Sequence, residues 1–190
     1  MNIVYAALIP ALWIAWCVYW WIASRAVKQS VRVESGASRA GHIVPLVVAV
    51  ALLFFDHLPG GFLEQRILPA TQATFFTGAA LTALGLAFSI AARLALGRNW
   101  SGLVTLKQDH ELVRSGPYRF VRHPIYTGLL LAFVGSAVAR GEWRGVLAVA
   151  IVLVALWRKS QLEERWMVET FGDAYRRYRG EVKALIPFVL

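Results

Sequence analysis

Residues 124–157 read PIYTGLLLAFVGSAVARGEWRGVLAVAIVLVALW. Two apolar runs, 124–139 and 143–157, are parted only by Arg140, Gly141 and Glu142. A connection that short joins antiparallel neighbours, so the stretch predicts a helical hairpin. Each arm is short for a straight bilayer crossing, which takes about 20 apolar residues. Pro124 suits the first turn of the fourth helix, because it lacks the N–H that a helix start leaves unpaired and its φ is already helical. Three further apolar runs lie N-terminal to the hairpin. Residues 73–96 carry one charge, Arg93, near their end, where a long side chain can snorkel. Residues 43–55 form a shorter run, closed by Asp56, His57, Leu58, Pro59 and two glycines. Residues 3–23 have no charge until Arg25, and no Lys or Arg precedes them. The run therefore predicts an uncleaved helix rather than a secretory leader. Trp13, Trp16, Trp20 and Trp21 crowd its second half, which predicts an end near the headgroups.

Composition agrees. Of 190 residues, 58% are hydrophobic and 16% charged, against about 45–50% and about 25% in soluble domains. Mean hydropathy is +0.54, which also excludes disorder. The single Cys17 excludes an intrachain disulfide and a multi-cysteine zinc site. His42, His57, His110 and His123 show no metal-ligand spacing on a common helix. No GxSxG, GxGxxG or Walker pattern is present. Gly78, Thr82, Gly85 and Ser89 form one stripe at helical spacing, and Gly128, Ala132, Gly135 and Ala139 form another. Small residues of this kind let membrane helices approach closely.

The +9 net charge has a pattern. With five spans, seventeen of the twenty basic residues fall on one side, and only Arg66, Arg140 and Arg144 on the other. The positive-inside rule then puts the N-terminus outside and the C-terminus in the cytoplasm. Topology and anionic lipids account for the basicity, and the scatter over three segments argues against nucleic acid as a partner.

Two cytoplasmic segments hold the polar chemistry. Residues 97–124 read GRNWSGLVTLKQDHELVRSGPYRFVRHP, and residues 161–187 read QLEERWMVETFGDAYRRYRGEVKALIP. Residues 104–106 are too short to support a sheet. Ser115, Gly116 and Pro117 read as a turn. Arg119, Arg122 and His123 then stand at the start of the fourth helix, whose exposed N–H groups favour an anion. The arginines would equally snorkel or hold lipid phosphate, and His123 would equally make a structural hydrogen bond. An amphipathic helix continues the fifth run to about Thr170. On it Glu163 and Glu164 diverge by about 100°, so one can face a pocket while the other pairs with an arginine. On a solvated helix such a pair needs no function at all. Tyr175 and Tyr178 share a face and can pack on the membrane surface or cover a pocket, and Asp173 suits the N-cap of that last helix.

These two segments together resemble the isoprenylcysteine carboxyl methyltransferase and phospholipid methyltransferase superfamily. The resemblance rests on GRNWSG, on HELVRSGPY (110–118), on RHPIYTG (122–128), and on EE (163–164) followed by FGDAYRRYRGEVKALIP. It covers residues 97–187. It implies an all-α polytopic membrane protein, about five transmembrane helices with a short C-terminal hairpin, forming one domain. Residues 1–96 would be N-terminal helices and 97–190 the catalytic region. It also implies S-adenosylmethionine as methyl donor, with S-adenosylhomocysteine as product, bound in a cytoplasm-facing pocket without a Rossmann fold. The acceptor would be lipidic and arrive from the bilayer, and no obligate protein partner is implied.

Carried residue by residue, the resemblance implies a cofactor pocket of His110, Leu112, Val113, Gly116, Tyr118, His123, Pro124, Tyr126 and Glu164. Arg122, Glu163 and Glu164 would be catalytic. A glutamate can balance the cofactor's cationic groups, and Tyr126 can add cation–π attraction. His123 or the fourth helix's N–H groups can hold its carboxylate. A carboxylate acceptor is already ionised at neutral pH and needs no base, and Arg122 or Arg119 can orient it. An amine acceptor must lose a proton, which makes a glutamate a candidate base. Carboxyl O-methylation of an isoprenylcysteine-like substrate is thus the first expectation, and N-methylation of an amine lipid the alternative. A sterol-reductase-like enzyme using NADPH shares a related arginine–histidine motif and acidic pair, but Pro124 and Ile125 between His123 and Tyr126 look more like the methyltransferases. Short loops suggest a prokaryotic plasma membrane.

Overall fold

The computed structural model describes residues 3–25, 30–55, 61–97, 100, 105–107, 112–186 and 189. Among these residues six helices carry the fold: α1 (Ile3–Ala23), α2 (Gly36–Phe54), α3 (Gln72–Leu96), α4 (Pro124–Arg140), α5 (Trp143–Phe171) and α6 (Asp173–Glu181). α2, α3 and α5 are long and apolar enough to cross a membrane, and Ala7–Ala23 and Pro124–Arg140 are shorter apolar helices. The protein is a helical integral membrane protein. α5 has 29 residues and rises about 43 Å. That exceeds the roughly 30 Å hydrocarbon core, so about its last third, which includes Glu163 and Glu164, projects beyond the apolar layer.

α2 starts earlier than the apolar run predicts. Ser35 accepts a hydrogen bond from the backbone N–H of Ser38 and caps the helix, so the polar residues Ser38, Arg39 and His42 form its first two turns. A short sheet also forms where none is predicted: β1 (Ser30–Val33) pairs antiparallel with β2 (Thr105–Lys107). Each strand is too short to stand alone, and a partner some seventy residues away supplies the missing ladder. Asp173 is the first residue of α6 rather than its N-cap, which is Gly172 at φ +55°. Asp173 instead pairs with Arg176 at 2.7 Å.

α3 and α4 pack through the two small-residue stripes. A Cβ added at Gly85 would lie 2.5 Å from Ala132 N and Gly128 O, and one at Gly135 would lie 2.4 Å from Thr82 N. The backbones touch, so both glycines are required by the approach itself. α1 docks onto this pair through its tryptophans. Trp13 Nε1 donates to Ser136 Oγ (3.0 Å) and Trp16 Nε1 to Ser89 Oγ (2.8 Å). Trp20 packs edge-on against Trp100. Trp13, Trp16 and Trp20 are therefore packing residues, and Trp21 alone of the four is broadly exposed, under Arg25.

Arg93 does not snorkel. It is buried, lies over the Trp100 ring, and donates to Gly97 O (2.6 Å) and Ala23 O (2.8 Å). It thus satisfies carbonyls at the C-terminal ends of α3 and α1, where the helix dipole favours a cation. At the other end of the bundle Glu142 accepts from Arg140 and Arg144. Those two arginines also donate to Leu53 O and Phe55 O at the end of α2. Arg66 Nε donates to Leu68 O, and its backbone bridges to Glu142. The three basic residues that run against the charge asymmetry are thus held in structural contacts.

Candidate active site

The chain enters α4 through a short, heavily tied segment. Gly116, at φ +59°, starts a 3-10 turn through Arg119. Val121 then bridges in parallel to Lys183. The N–H groups of Arg122 and His123 donate to Lys183 O (2.8 Å) and Ala184 O (2.9 Å), and Thr127 Oγ1 donates to Leu185 O (2.6 Å). The tail after α6 therefore fixes the backbone from which Arg122, His123 and Tyr126 project. Tyr178 of α6 is buried and donates its hydroxyl to Tyr118 O, closing the same junction.

Against this segment α5 presents both acidic residues. Glu164 Oε1 accepts from Arg122 Nε (2.8 Å) and Nη2 (2.6 Å) and lies 3.2 Å from His123 Nε2. Its Oε2 lies 3.2 Å from Arg179 Nε. Glu163 Oε2 is 3.4 Å from His123 Nδ1, and Glu163 Oε1 accepts from Tyr126 Oη at 2.5 Å. The two carboxylates do diverge on the helix, yet both reach His123, because the imidazole turns a different nitrogen to each. His123 and Tyr126 stack with ring centroids 5.5 Å apart and planes 5° from parallel, and Lys159 Nζ stands 5.3 Å from the Tyr126 centroid.

Exposure separates the two acids. The Glu164 side chain is 2% exposed and the Glu163 side chain 22%. Glu164 is enclosed by cations, whereas Glu163 keeps an open edge. Burial alone would push the His123 pKa down, but hydrogen bonds and charge from Glu163 and Glu164 outweigh it and hold the imidazole above its ordinary value. Burial pushes the Tyr178 hydroxyl up to about 12, so it stays a neutral donor.

The expected residues divide accordingly. Arg122, His123, Tyr126, Glu163 and Glu164 converge in one cluster. Pro124 is fully buried as the first residue of α4, and Tyr118 is buried beside α6. Val113 packs on the core, Leu112 is half-buried, and Gly116 serves the turn. His110 lies outside the described residues. The Arg122 guanidinium is fully engaged, since Nη1 also donates to Arg179 O and Val182 O. At the start of α4 the N–H groups of Tyr126 and Thr127 return to His123 O. Sequence does not single out Arg179 or Lys159 among the seventeen basic residues expected on one side. Nor does it mark Glu34 and His42, which pair at 3.3 Å with side chains 1% and 3% exposed.

The family profile described as phospholipid methyltransferase matches residues 73–174, more than half of the chain and the whole of the Arg122–Glu164 cluster. The chain belongs to the phospholipid methyltransferase family. Within reach of this family, protein-S-isoprenylcysteine O-methyltransferase of Schizosaccharomyces pombe is 33% identical over 109 residues, 56% of this chain and 46% of that protein. Methanethiol S-methyltransferase 1 of Bradyrhizobium diazoefficiens is 39% identical over 71 residues, 37% of this chain and 24% of that protein. Among solved structures, the eukaryotic intramembrane Ras methyltransferase, isoprenylcysteine carboxyl methyltransferase, matches with a TM-score of 0.54 and 25% identity, over 84% of this chain and 55% of that one. The chain thus spans about half, or less, of the length of these relatives.

Proposed function

We propose that the protein is a membrane methyltransferase that uses S-adenosylmethionine to methylate the carboxylate of an isoprenylcysteine-like lipidic acceptor at the cytoplasmic face. The observation that carries this reading is the convergence of Arg122, His123 and Tyr126 with Glu163 and Glu164, at the end of the bundle that holds most of the basic residues. The family membership and the isoprenylcysteine methyltransferase relatives support it.

When bound, S-adenosylmethionine supplies an electrophilic methyl on a sulfonium. The residues fit its cationic half. Glu163 offers a carboxylate with an open edge, and Tyr126 offers a ring beside which a cation already stands. For its carboxylate, the His123 ring nitrogens and the N–H groups of Tyr126 and Thr127 already have partners. Glu164 and Arg122 then act as positioning residues. Their ion pair, tied to the tail carbonyls, holds His123 and through it Glu163. Orientation in a desolvated site is the main contribution such a scaffold can make to a displacement.

The same geometry bears on the acceptor class. A carboxylate brings its own ionised nucleophile. A thiol, which the identity to methanethiol S-methyltransferase 1 favours as a second reading, or an amine must first lose a proton. Within the cluster His123 presents both nitrogens to glutamates and each glutamate accepts a hydrogen bond, which supports an acceptor needing no base. Thermal stability of detergent-purified protein tests the cofactor. S-adenosylhomocysteine is expected to raise the Tm and NADPH to leave it unchanged; stabilisation by NADPH alone overturns the reading.

A further inference from the structure

Two short strands join the halves of the chain. β1 comes from the segment between α1 and α2, and β2 from the segment between α3 and α4. Ser30, Arg32 and Val33 face Lys107, Leu106 and Thr105 in antiparallel register. A two-stranded sheet is marginal in water by itself, so something must hold its ends. The C-terminal end of β1 is held by a buried corner. The next residue, Glu34, is buried, and its Oε1 lies 3.3 Å from Nε2 of His42, in the second turn of α2. Neutral imidazole already supplies the N–H that this contact needs. Ser35 then caps α2. The start of α2 is fixed in turn to α5. The Arg158 guanidinium lies against Gly41, where a Cβ would stand 2.7 Å from Arg158 Cζ, and its Nη1 donates to Ser38 O at 3.0 Å. β1 is thus placed, through one corner, relative to the helix that carries Glu163 and Glu164.

Resting on the methyltransferase reading, we infer that Glu34 and His42 are positioning residues for the cofactor. They anchor β1, and through its pairing with β2 they set the place of the chain that leads into the pocket residues Leu112, Val113, Gly116 and Tyr118. Connectivity gives the direction. Lys107 and Leu112 are five residues apart, so they lie within about 18 Å of each other even at full extension. Trp100 and Val113 pack in the core on either side of β2. Between these two anchors, thirteen residues apart, the pairing with β1 supplies a third point of attachment. The corner is built to transmit position rather than to bind. Both side chains are almost fully enclosed, and they link the residue next to the strand directly to the helix. Removing either partner leaves a buried polar group without its mate and frees the end of β1.

The test reads the strand pairing and the cofactor separately in the full-length, detergent-purified protein. Hydrogen exchange follows the backbone amides of 30–33 and 105–107, and titration gives the Kd for S-adenosylhomocysteine. Glu34→Ala and His42→Phe should speed exchange in both strands and leave α3 and α4 unchanged. They should weaken S-adenosylhomocysteine binding about fivefold, the ratio that one net hydrogen bond brings. Glu34→Gln keeps an acceptor for Nε2–H and should stay within about twofold of wild type. A rescue follows from the register, in which Arg32 and Leu106 are directly opposed. In a Glu34→Ala, Cys17→Ser protein carrying Arg32→Cys and Leu106→Cys, oxidation to the cross-strand disulfide should restore the wild-type Kd, and reduction should lose it again. Unchanged exchange at 105–107 in Glu34→Ala overturns the inference, as does weakened binding that the closed disulfide does not restore. Faster exchange throughout α3 and α4 marks a fold-wide role and overturns it too, and cysteines that do not close contradict the pairing on which it stands. A wild type that binds no S-adenosylhomocysteine removes the methyltransferase reading. Exchange is read without ligand and judges the anchor by itself, so the two failures are told apart.

Discussion

Glu163 and Glu164 are neighbours of the same chemistry, and the geometry gives them opposite sensitivities. Glu164→Gln removes the negative charge from a carboxylate that is 2% exposed and faces Arg122, His123 and Arg179. Arg122 and His123 side chains are each 8% exposed, so water cannot replace the lost counter-charge. Hydrogen bonds to charged groups contribute about 1.5–3 kcal/mol each, and breaking a buried pair costs about 3–5 kcal/mol. Arg179 is 49% exposed and adds little. Glutamine keeps one oxygen acceptor, so a loss of about 2–4 kcal/mol is expected. Glu163→Gln removes a charge from a more open site and leaves Arg122 paired, so about 1 kcal/mol or less is expected. Denaturant unfolding of the detergent-solubilised variants measures both, and S-adenosylhomocysteine binding should show the inverse order once folded fractions are matched. Equal destabilisation by the two substitutions, or a Glu164→Gln protein as stable as wild type, refutes the division of labour.

Other consequences are simpler to state. Gly135→Val would place a Cβ 2.4 Å from Thr82 N, where ordinary contacts begin at 3.4 Å; the helices must part, at about 1–3 kcal/mol or more, read by the same unfolding assay. Arg93→Met should cost about 2 kcal/mol, because two helix-end carbonyls lose a charged donor, and a loss below half that value would show that water serves them equally well. His123 has a folded pKa above its ordinary value near 6.5. Its stabilisation is therefore complete below about pH 6.5 and is lost as pH rises through the folded value. Wild type should lose more stability than His123→Gln over that rise, and parallel pH profiles would contradict this.

Much of this was legible in the sequence because it is periodic or local. Five apolar runs mark five apolar helices, the three-residue break at 140–142 marks the hairpin, and the two stripes mark the α3–α4 contact. The order of RHPIY and EE brings Arg122, His123, Tyr126, Glu163 and Glu164 to one place. The remainder depends on partners distant in the chain. Arg93 looks like any arginine at a helix end until Ala23 O and Trp100 stand beside it. The tryptophans of α1 look interfacial until Ser89 and Ser136 receive their N–H groups. β2 has three residues and gains its ladder only from β1. Charge counting treats every basic residue alike, so it cannot distinguish Arg179, which pairs with Glu164, from a solvated one.

The central claim, carboxyl methylation, is tested most directly by incubating the purified protein with methyl-labelled S-adenosylmethionine and a prenylcysteine acceptor, then treating the lipid product with mild base. A methyl ester hydrolyses and releases its label as volatile methanol, whereas a thioether or a methylated amine retains it. Base-labile label, dependent on the acceptor, is the predicted result. Label that survives base, or none transferred by a protein that binds S-adenosylhomocysteine, contradicts it.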